Sequence, residues 1–202
     1  MKNKIIYRLL RTFLLVGVGL LSGGSVLAYE EPQYTVVTTY DDFELRQYEP
    51  YVVAEIRTTG DFDEIGNQAF RKLFRFISED DRPQGKISMT VPVIQQPLAE
   101  ESEQKSYRFA FVMPAAYKLE DLPKPDDATI EIRNIPARLL VARRYSGTWS
   151  QERYRKNEKI LTEATIKAGL TPVGKPIFAR YNAPFSLWFL RRNEVLIEVV
   201  PP

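Results

Sequence analysis

The sequence predicts a single α+β domain in which two helices pack on one largely antiparallel β-sheet. The first observation behind this is a repeat: "VVAEIRTTGDFDE" and "LVARRYSGTWSQ" both carry a strand, a glycine, a capped turn and an aromatic residue at a helix start. The second is that no Gly/Ser-rich linker separates the two halves of the chain. We therefore expect two similar strand-helix-strand-strand halves that contribute to the same sheet.

The first half is predicted to contain five strands and one helix. The strands are rich in Val, Tyr and Phe and end at turn residues. They are expected over residues 34–40, 43–48, 51–57, 87–95 and 107–113. The helix follows the third strand, because Asp61 and Glu64 form a capping-box pattern there, and it runs to Ile77.

The second half is predicted to repeat this order after a proline-rich connector over residues 114–128. Strands are expected over residues 129–133, 137–145, 173–181 and 195–200. Thr148 and Gln151 form a second capping-box pattern at the start of the second helix. That helix is expected to stop at Gly169, a residue type favoured just beyond helix ends.

The amino terminus has the features of a signal peptide. Four basic residues precede the apolar run "TFLLVGVGLLSGGSVLA", which ends at Ala28 in a plausible cleavage position. We therefore expect residues 1–28 to be removed and residues 29–202 to be exported to a periplasm, a lumen or the outside of the cell. The alternative is an uncleaved N-terminal membrane anchor, because the run approaches the roughly 18 residues of a membrane span.

Charge and composition exclude several classes of function. Loss of the leader lowers the basic residues from 28 to 24 against 26 acidic ones, so the net charge changes from +2 to −2, and a nucleic-acid partner is not expected. The chain has no histidine and no cysteine, which excludes histidine-based triads, zinc-histidine sites and disulfides. No glycine-rich phosphate loop appears. A non-enzymatic role is therefore predicted.

Three segments together resemble the SOUL family of haem-binding proteins. They are "KISMTVPV", the "F-x-x-L-F-x-F-I" end of the first helix, and "FLRRNEVLIEV" near the carboxyl terminus. The resemblance extends over roughly residues 34–200. It implies a distorted antiparallel sheet or barrel with two helices, and a haem or other tetrapyrrole in a shallow apolar groove beside the first helix, covered by the loop before the last strand.

The missing histidine leaves the axial ligand of a bound haem unknown. One branch of the family is described as binding haem iron through histidine, which this chain cannot do. Another branch is described as using apolar contacts and salt links to the propionates, which this chain can match. Tyrosine and methionine also ligate haem iron in proteins, but Met89 alternates in phase with Ile87 and Val91 and is predicted to be a core residue.

The first helix carries more apolar surface than is needed to cover a sheet. At about 100° per residue, one margin of its apolar face holds Ile65, Ala69 and Phe76, with Gln68 and Lys72 just beyond. Such a margin suits a planar, amphipathic dianion, because the apolar side chains contact the ring and the lysine pairs with a carboxylate. The alternative is that the connector or a partner subunit covers this margin.

The loop "YNAPFSLWFLRR", residues 181–192, is the second predicted wall of the ligand site. It concentrates large apolar side chains in a connection and then turns basic. Tyr181, Phe185, Trp188 and Arg191 are its candidate ligand contacts. The loop could equally plug the end of a barrel.

The predicted function is thus an exported tetrapyrrole-binding protein without histidine ligation, of unknown oligomeric state. Three alternatives stay open at this point. One is an enzyme that modifies tetrapyrroles, and another is a structural or protein-interaction domain. The third is a small-molecule effector module of the gyrase-inhibitor type, in which a buried acid such as Glu194 or Glu198 would bind a cation.

Overall fold

A computed structural model describes residues 29–62, 65–83, 85–98 and 105–200. Within these ranges the chain forms nine strands and two α-helices. The strands are β1 (Tyr34–Thr39), β2 (Glu44–Tyr48), β3 (Tyr51–Thr59), β4 (Val93–Pro97), β5 (Ser106–Val112), β6 (Ile130–Ile135), β7 (Arg138–Tyr145), β8 (Thr171–Arg180) and β9 (Asn193–Val200), and the helices are α1 (Ile65–Ser78) and α2 (Gln151–Lys167). The predicted leader and Glu64 lie outside the described residues.

All nine strands join one sheet in the order β1-β2-β7-β9-β8-β4-β5-β3-β6, and every neighbouring pair is antiparallel. The first half supplies β3-α1-β4-β5 and the second supplies β7-α2-β8-β9. The halves meet where β4 pairs with β8, and the order β3-β5-β4 on one side is mirrored by β7-β9-β8 on the other. The predicted α+β domain with two similar halves is confirmed, and its sheet curls into a half-barrel.

Both helices pack on the same face of the sheet and form a helix-side core with it. Leu73 of α1 and Leu161 of α2 are fully buried there, together with Phe109 and Phe178 from the strands. A second group of buried residues, the opposite-face cluster, contains strand residues such as Leu196 and no residue of either helix. Because neither α1 nor α2 covers these side chains, we attribute their burial to the curl of the sheet.

The predicted fourth strand starts later than expected. Strand β4 begins at Val93, whereas residues 87–92 run beside α1 and the amino-terminal segment instead of joining the sheet. The amide of Ile87 donates to the carbonyl of Ile77 at 2.9 Å, and that of Val91 donates to the carbonyl of Glu30 at 2.9 Å. These two contacts take the place of ladder pairing. Met89 packs against the helix-side core, in agreement with its predicted core position.

The ends of α2 differ from the prediction at one position. Ser150, not Thr148, is the N-cap residue, and its hydroxyl accepts a hydrogen bond from the Arg153 amide at 3.4 Å. Gly169 follows the helix with a φ of 79°, as expected for a residue just beyond a helix end. Among the residues that the structure describes, neither helix is long and apolar enough to cross a membrane.

Candidate functional site

The predicted apolar margin of α1 faces the sheet. Ile65, Ala69 and Phe76 are buried in the helix-side core. They lie within about 40° of one another around the helix, at the edge of the buried arc that adjoins Lys72, while Leu73 and Ile77 continue this arc on the other side. Their contact with a ligand stays a prediction, but in this structure the sheet and the neighbouring elements already surround these side chains.

The polar flank next to this margin faces the connector. Gln68 and Lys72 are exposed. The Lys72 ammonium lies 3.2 Å from the Asp127 carboxylate and donates to the Thr129 hydroxyl at 3.1 Å. Lys72 therefore ties α1 to the connector before β6, which is the covering segment that the sequence left as an alternative.

The opposite flank of α1 carries exposed aromatic surface. Phe74 is 46% exposed, and its ring stacks on that of the partly buried Phe70 with centroids 5.8 Å apart. Phe70 meets Phe111 of β5 edge-on at 5.2 Å. Phe111 pairs with Val93 on β4, and Val93 pairs with Arg180 on β8. The aromatic flank thus continues from the helix onto the sheet.

Arg180 places a cation where this flank meets the second half of the fold. Its guanidinium lies 5.1 Å from the centroid of the Trp149 ring and donates to the Gln95 side-chain carbonyl at 2.5 Å. The first turn of α1 approaches it closely, since a Cβ on Gly66 would lie 3.5 Å from the Arg180 Nη1 atom. We use the name aromatic shelf for Phe70, Phe74, Val93, Trp149 and Arg180.

The loop over residues 182–191 adjoins the aromatic shelf. The Arg191 guanidinium lies 4.4 Å from the centroid of the Trp149 ring, and the Trp149 indole donates to the Asn193 side-chain oxygen at 2.8 Å. Five large apolar side chains of this loop are exposed, from 52% for Phe189 to 90% for Phe185. Such exposure is incompatible with a plug that fills the end of a barrel.

Tyr181 is separated from the other predicted loop contacts. Its side chain is buried in the opposite-face cluster, and its hydroxyl donates to the Glu194 carboxylate at 2.9 Å. Of the predicted loop residues, the structure places Arg191 directly beside the aromatic shelf. It places Phe185 and Trp188 on the exposed surface of the same loop.

Glu194 is a fully buried carboxylate that already has cationic partners. Two atoms of the Arg46 guanidinium lie 2.8 and 3.3 Å from its oxygens, and Arg192 lies at 3.0 Å. Burial alone would raise the pKa of Glu194, but the hydrogen bond and charge of Arg46, the charge of Arg192 and the Tyr181 hydroxyl together lower it. Glu194 is therefore ionised and neutralised within the protein, and does not await a cationic ligand.

The other predicted acid, Glu198, lies near the surface. Its carboxylate is 3.8 Å from the Arg138 guanidinium. Among the residues that the structure describes, no three carboxylates lie close enough together to hold a metal ion. Neither acid thus offers a buried cation site.

A cavity of about 540 Å³ lies at one end of the sheet, away from the aromatic shelf. The amino-terminal segment, the turn between β2 and β3, and the start of the connector enclose it. Its charged and aromatic lining includes Glu30, Glu49, Tyr51, Tyr117 and Glu120. We call it the end cavity, and its carboxylates outnumber the one lining lysine, Lys118.

Sequence reasoning missed the residues of the aromatic shelf as a group. One signal was present, because Phe70 and Phe74 are four residues apart and share a helix face. Trp149 and Arg180 carried no such signal. They reach the shelf only because β4 pairs with β8 across the boundary between the halves.

Several solved structures share this fold. The EcmrR C-terminal domain superposes with a TM-score of 0.62 at 12% identity, covering 84% of this chain and 99% of that one. A hydrolase from Listeria innocua gives 0.59 at 13% identity, over 81% and 94% of the two chains. SAV2435, solved bound to tetraphenylphosphonium, gives 0.53 at 10% identity, over 79% and 94%. At these identities the likeness shows the fold alone.

Family membership comes from the sequence itself. Comparison with curated proteins found no match. The family model described as SOUL heme-binding protein, however, matches residues 29–198, nearly the whole chain after the predicted leader. This chain therefore belongs to the SOUL heme-binding protein family.

Proposed function

We propose that this protein is an exported binding protein that holds haem or a related tetrapyrrole on the aromatic shelf, beside the 182–191 loop. The observation that carries the proposal is the series of ring contacts and strand pairings that leads from Phe74 of α1 through Phe70, Phe111 and Val93 to Arg180 and Trp149. Membership of a haem-binding family supplies the ligand class. It also favours binding over catalysis.

The shelf has the chemistry that a flat amphipathic dianion requires. Phe70 and Phe74 offer ring surface to a macrocycle, and the Arg180 guanidinium lies at the edge where a propionate would end. Apolar burial contributes roughly 25 cal/mol per Å². Micromolar affinity, about −8 kcal/mol, therefore does not require a histidine bond to the iron, which this sequence cannot supply.

Hemin titration followed through the Soret band tests this proposal. The wild-type protein should show a saturable change with one site. Phe74→Ser should weaken binding by about five- to tenfold, because it removes half-exposed ring surface. Ile166→Ser is the matched control, since Ile166 is 60% exposed on α2. Equal affinities of the two variants would remove the shelf from the binding site.

The Lys72→Glu variant distinguishes a ligand on the aromatic shelf from a ligand on the connector side of α1. If the ligand lies on the aromatic shelf, this variant should bind hemin almost as well as wild type, because Lys72 faces Asp127 and Thr129. The site predicted from the sequence gives the opposite expectation, a loss of affinity from the lost cation. A larger loss for Lys72→Glu than for Phe74→Ser would therefore place the ligand on the connector side.

A second candidate function is recognition of an organic cation in the end cavity. The cavity has the volume of a small-molecule site, and SAV2435, which shares the fold, was solved with a bound phosphonium cation. Tetraphenylphosphonium binding measured by calorimetry would test it, with Glu49→Lys as the variant. Weaker binding of the cation by this variant, with unchanged hemin affinity, would support a separate cation site.

A further inference from the structure

The 182–191 loop is folded and closed at its base. The Tyr181 amide donates to the Arg192 carbonyl at 3.2 Å, and the Arg192 amide donates to the Asn182 side-chain oxygen at 2.6 Å. At its tip, the Leu190 amide donates to the Leu187 carbonyl at 2.9 Å. The loop therefore presents a defined surface.

Arg191 stabilises the fold of the loop through its side chain. Its Nε atom donates to the Ser186 carbonyl at 3.0 Å, its Nη2 atom donates to the Pro184 carbonyl at 2.5 Å, and its guanidinium packs on Trp149. These contacts occupy backbone acceptors of the loop. Because a polar group without a partner is costly away from water, a loop with internal hydrogen bonds can enter an apolar environment at a lower cost.

The outer surface of the loop is apolar beyond the needs of a ligand wall. Its exposed side chains are Phe185, Leu187, Trp188, Phe189 and Leu190. A contiguous exposed patch of this kind marks an interaction site. Tryptophan, phenylalanine and leucine are the residue types that settle at the boundary between lipid and water.

The start of the folded domain lies beside the base of this loop. The Glu31 carboxylate is 2.7 Å from the Arg192 guanidinium, and Tyr29, two residues earlier, directly follows the apolar run over residues 12–28 in sequence. Whether that run is cleaved or retained, the first described residues lie on the side of the domain that carries the loop. If the chain is held at a membrane by that run, or released from a membrane there, this side of the domain lies nearest to the bilayer, and the loop faces it.

We propose that the 182–191 loop docks this protein on a lipid bilayer, with its apolar side chains inserted at the boundary between headgroups and acyl chains. Arg180 and Arg191, behind the apolar tip, would lie at the level of the headgroups. This docking surface borders the proposed tetrapyrrole site and shares Arg180 with it, but its apolar side chains are not those of the aromatic shelf. It requires neither haem nor retention of the amino-terminal run.

Sedimentation with vesicles tests the docking surface, using protein that starts at Tyr29. The nine strands, two helices and two clusters of buried residues that the structure describes all lie after that position, and a cooperative urea transition would verify folding. Without hemin, wild type should bind vesicles of phosphatidylcholine alone and of phosphatidylcholine with phosphatidylglycerol. The double variant Phe185→Ser/Phe189→Ser should reduce the partition coefficient by roughly tenfold or more.

The matched control removes two exposed apolar side chains elsewhere. Val36 and Val37 lie exposed on strand β1, and Val36→Thr/Val37→Thr should bind vesicles like wild type. Acyl-chain-brominated lipids should quench tryptophan emission of wild type but not of the phenylalanine double variant.

Three results would overturn the proposal. The first is an absence of wild-type binding to both vesicle types, and the second is equal loss of binding in the two double variants. The third is a dimer in solution that Phe185→Ser/Phe189→Ser dissociates, which would assign the patch to a second copy of the chain. Hemin affinity is measured separately, so failure of the membrane proposal leaves the tetrapyrrole proposal standing.

Discussion

At the scale of single residues, buried carboxylates between arginines dominate the electrostatics of this sheet. Glu194 lies between Arg46 and Arg192. In the first half of the fold, the buried Glu55 lies 3.0 Å from both Arg108 and Arg133. A buried charge is costly unless it is paired. The arginines beside each of these acids therefore have a structural role.

Arg46→Met should therefore destabilise the fold strongly. Without Arg46, the buried Glu194 keeps Arg192 as its remaining cationic partner, and the expected loss is about 3 kcal/mol in the free energy of unfolding. Arg57→Met is the control, because Arg57 and Glu131 form an exposed pair at 4.0 Å worth about 0.5 kcal/mol or less. Urea unfolding of the two variants measures the difference. Equal losses would contradict a stabilising role for the buried pair.

At the scale of elements, local sequence signals located the strands and helices but did not indicate which elements lie next to one another in the fold. The predicted strand at residues 107–113 coincides closely with β5, because Val- and Phe-rich segments bounded by turns carry the signal locally. The start of strand β4 was predicted six residues too early. The alternation from Ile87 to Val91 does not mark one face of a strand, because Ile87 is buried in the helix-side core and Val91 in the opposite-face cluster.

The candidate site was less predictable than the elements. The periodicity of α1 showed a wide apolar face, but only the position of the sheet decides which flank stays open. Asp127 of the connector and Thr129, just before β6, bind Lys72 on one flank, which leaves Phe70 and Phe74 on the other. Contacts between residues distant in sequence determine this choice, and a single sequence does not reveal them.

The start of α2 provides a test at the same scale. Ser150→Ala should lower the free energy of unfolding by about 1 kcal/mol, because the Ser150 hydroxyl accepts the Arg153 amide hydrogen bond. Thr148→Ala should cost less than about 0.5 kcal/mol, the usual range of a surface substitution. Thermal or urea unfolding would compare them, and a larger cost at Thr148 would restore the cap predicted from the sequence.

At the scale of the whole molecule, the two similar halves form one sheet, but each half carries a different surface. The helix-bearing face of the first half carries the aromatic flank of α1, whereas the loop between β8 and β9 belongs to the second half. Pairing of β4 with β8 brings the aromatic flank and this loop together. The proposed ligand site thus depends on assembly of the complete sheet.

The pH dependence of global stability should report Glu194. Since its pKa is lowered in the folded state, its carboxylate stabilises the protein at neutral pH. That contribution should be lost as the pH falls below the ordinary glutamate pKa of about 4.3 and through the lower folded value. Glu194→Gln should be less stable than wild type at pH 7, and the difference should narrow between pH 5 and pH 3. A difference that stays constant across this range in urea unfolding would contradict the ionised, paired state.

Amide NMR spectra recorded during hemin titration would locate the bound tetrapyrrole on the protein. Ferric haem broadens nearby resonances, so the first amides to lose intensity should belong to residues 66–74 of α1 and to residues 182–191. Broadening centred on the end cavity, or on the connector beside Lys72, would contradict the aromatic shelf as the ligand site.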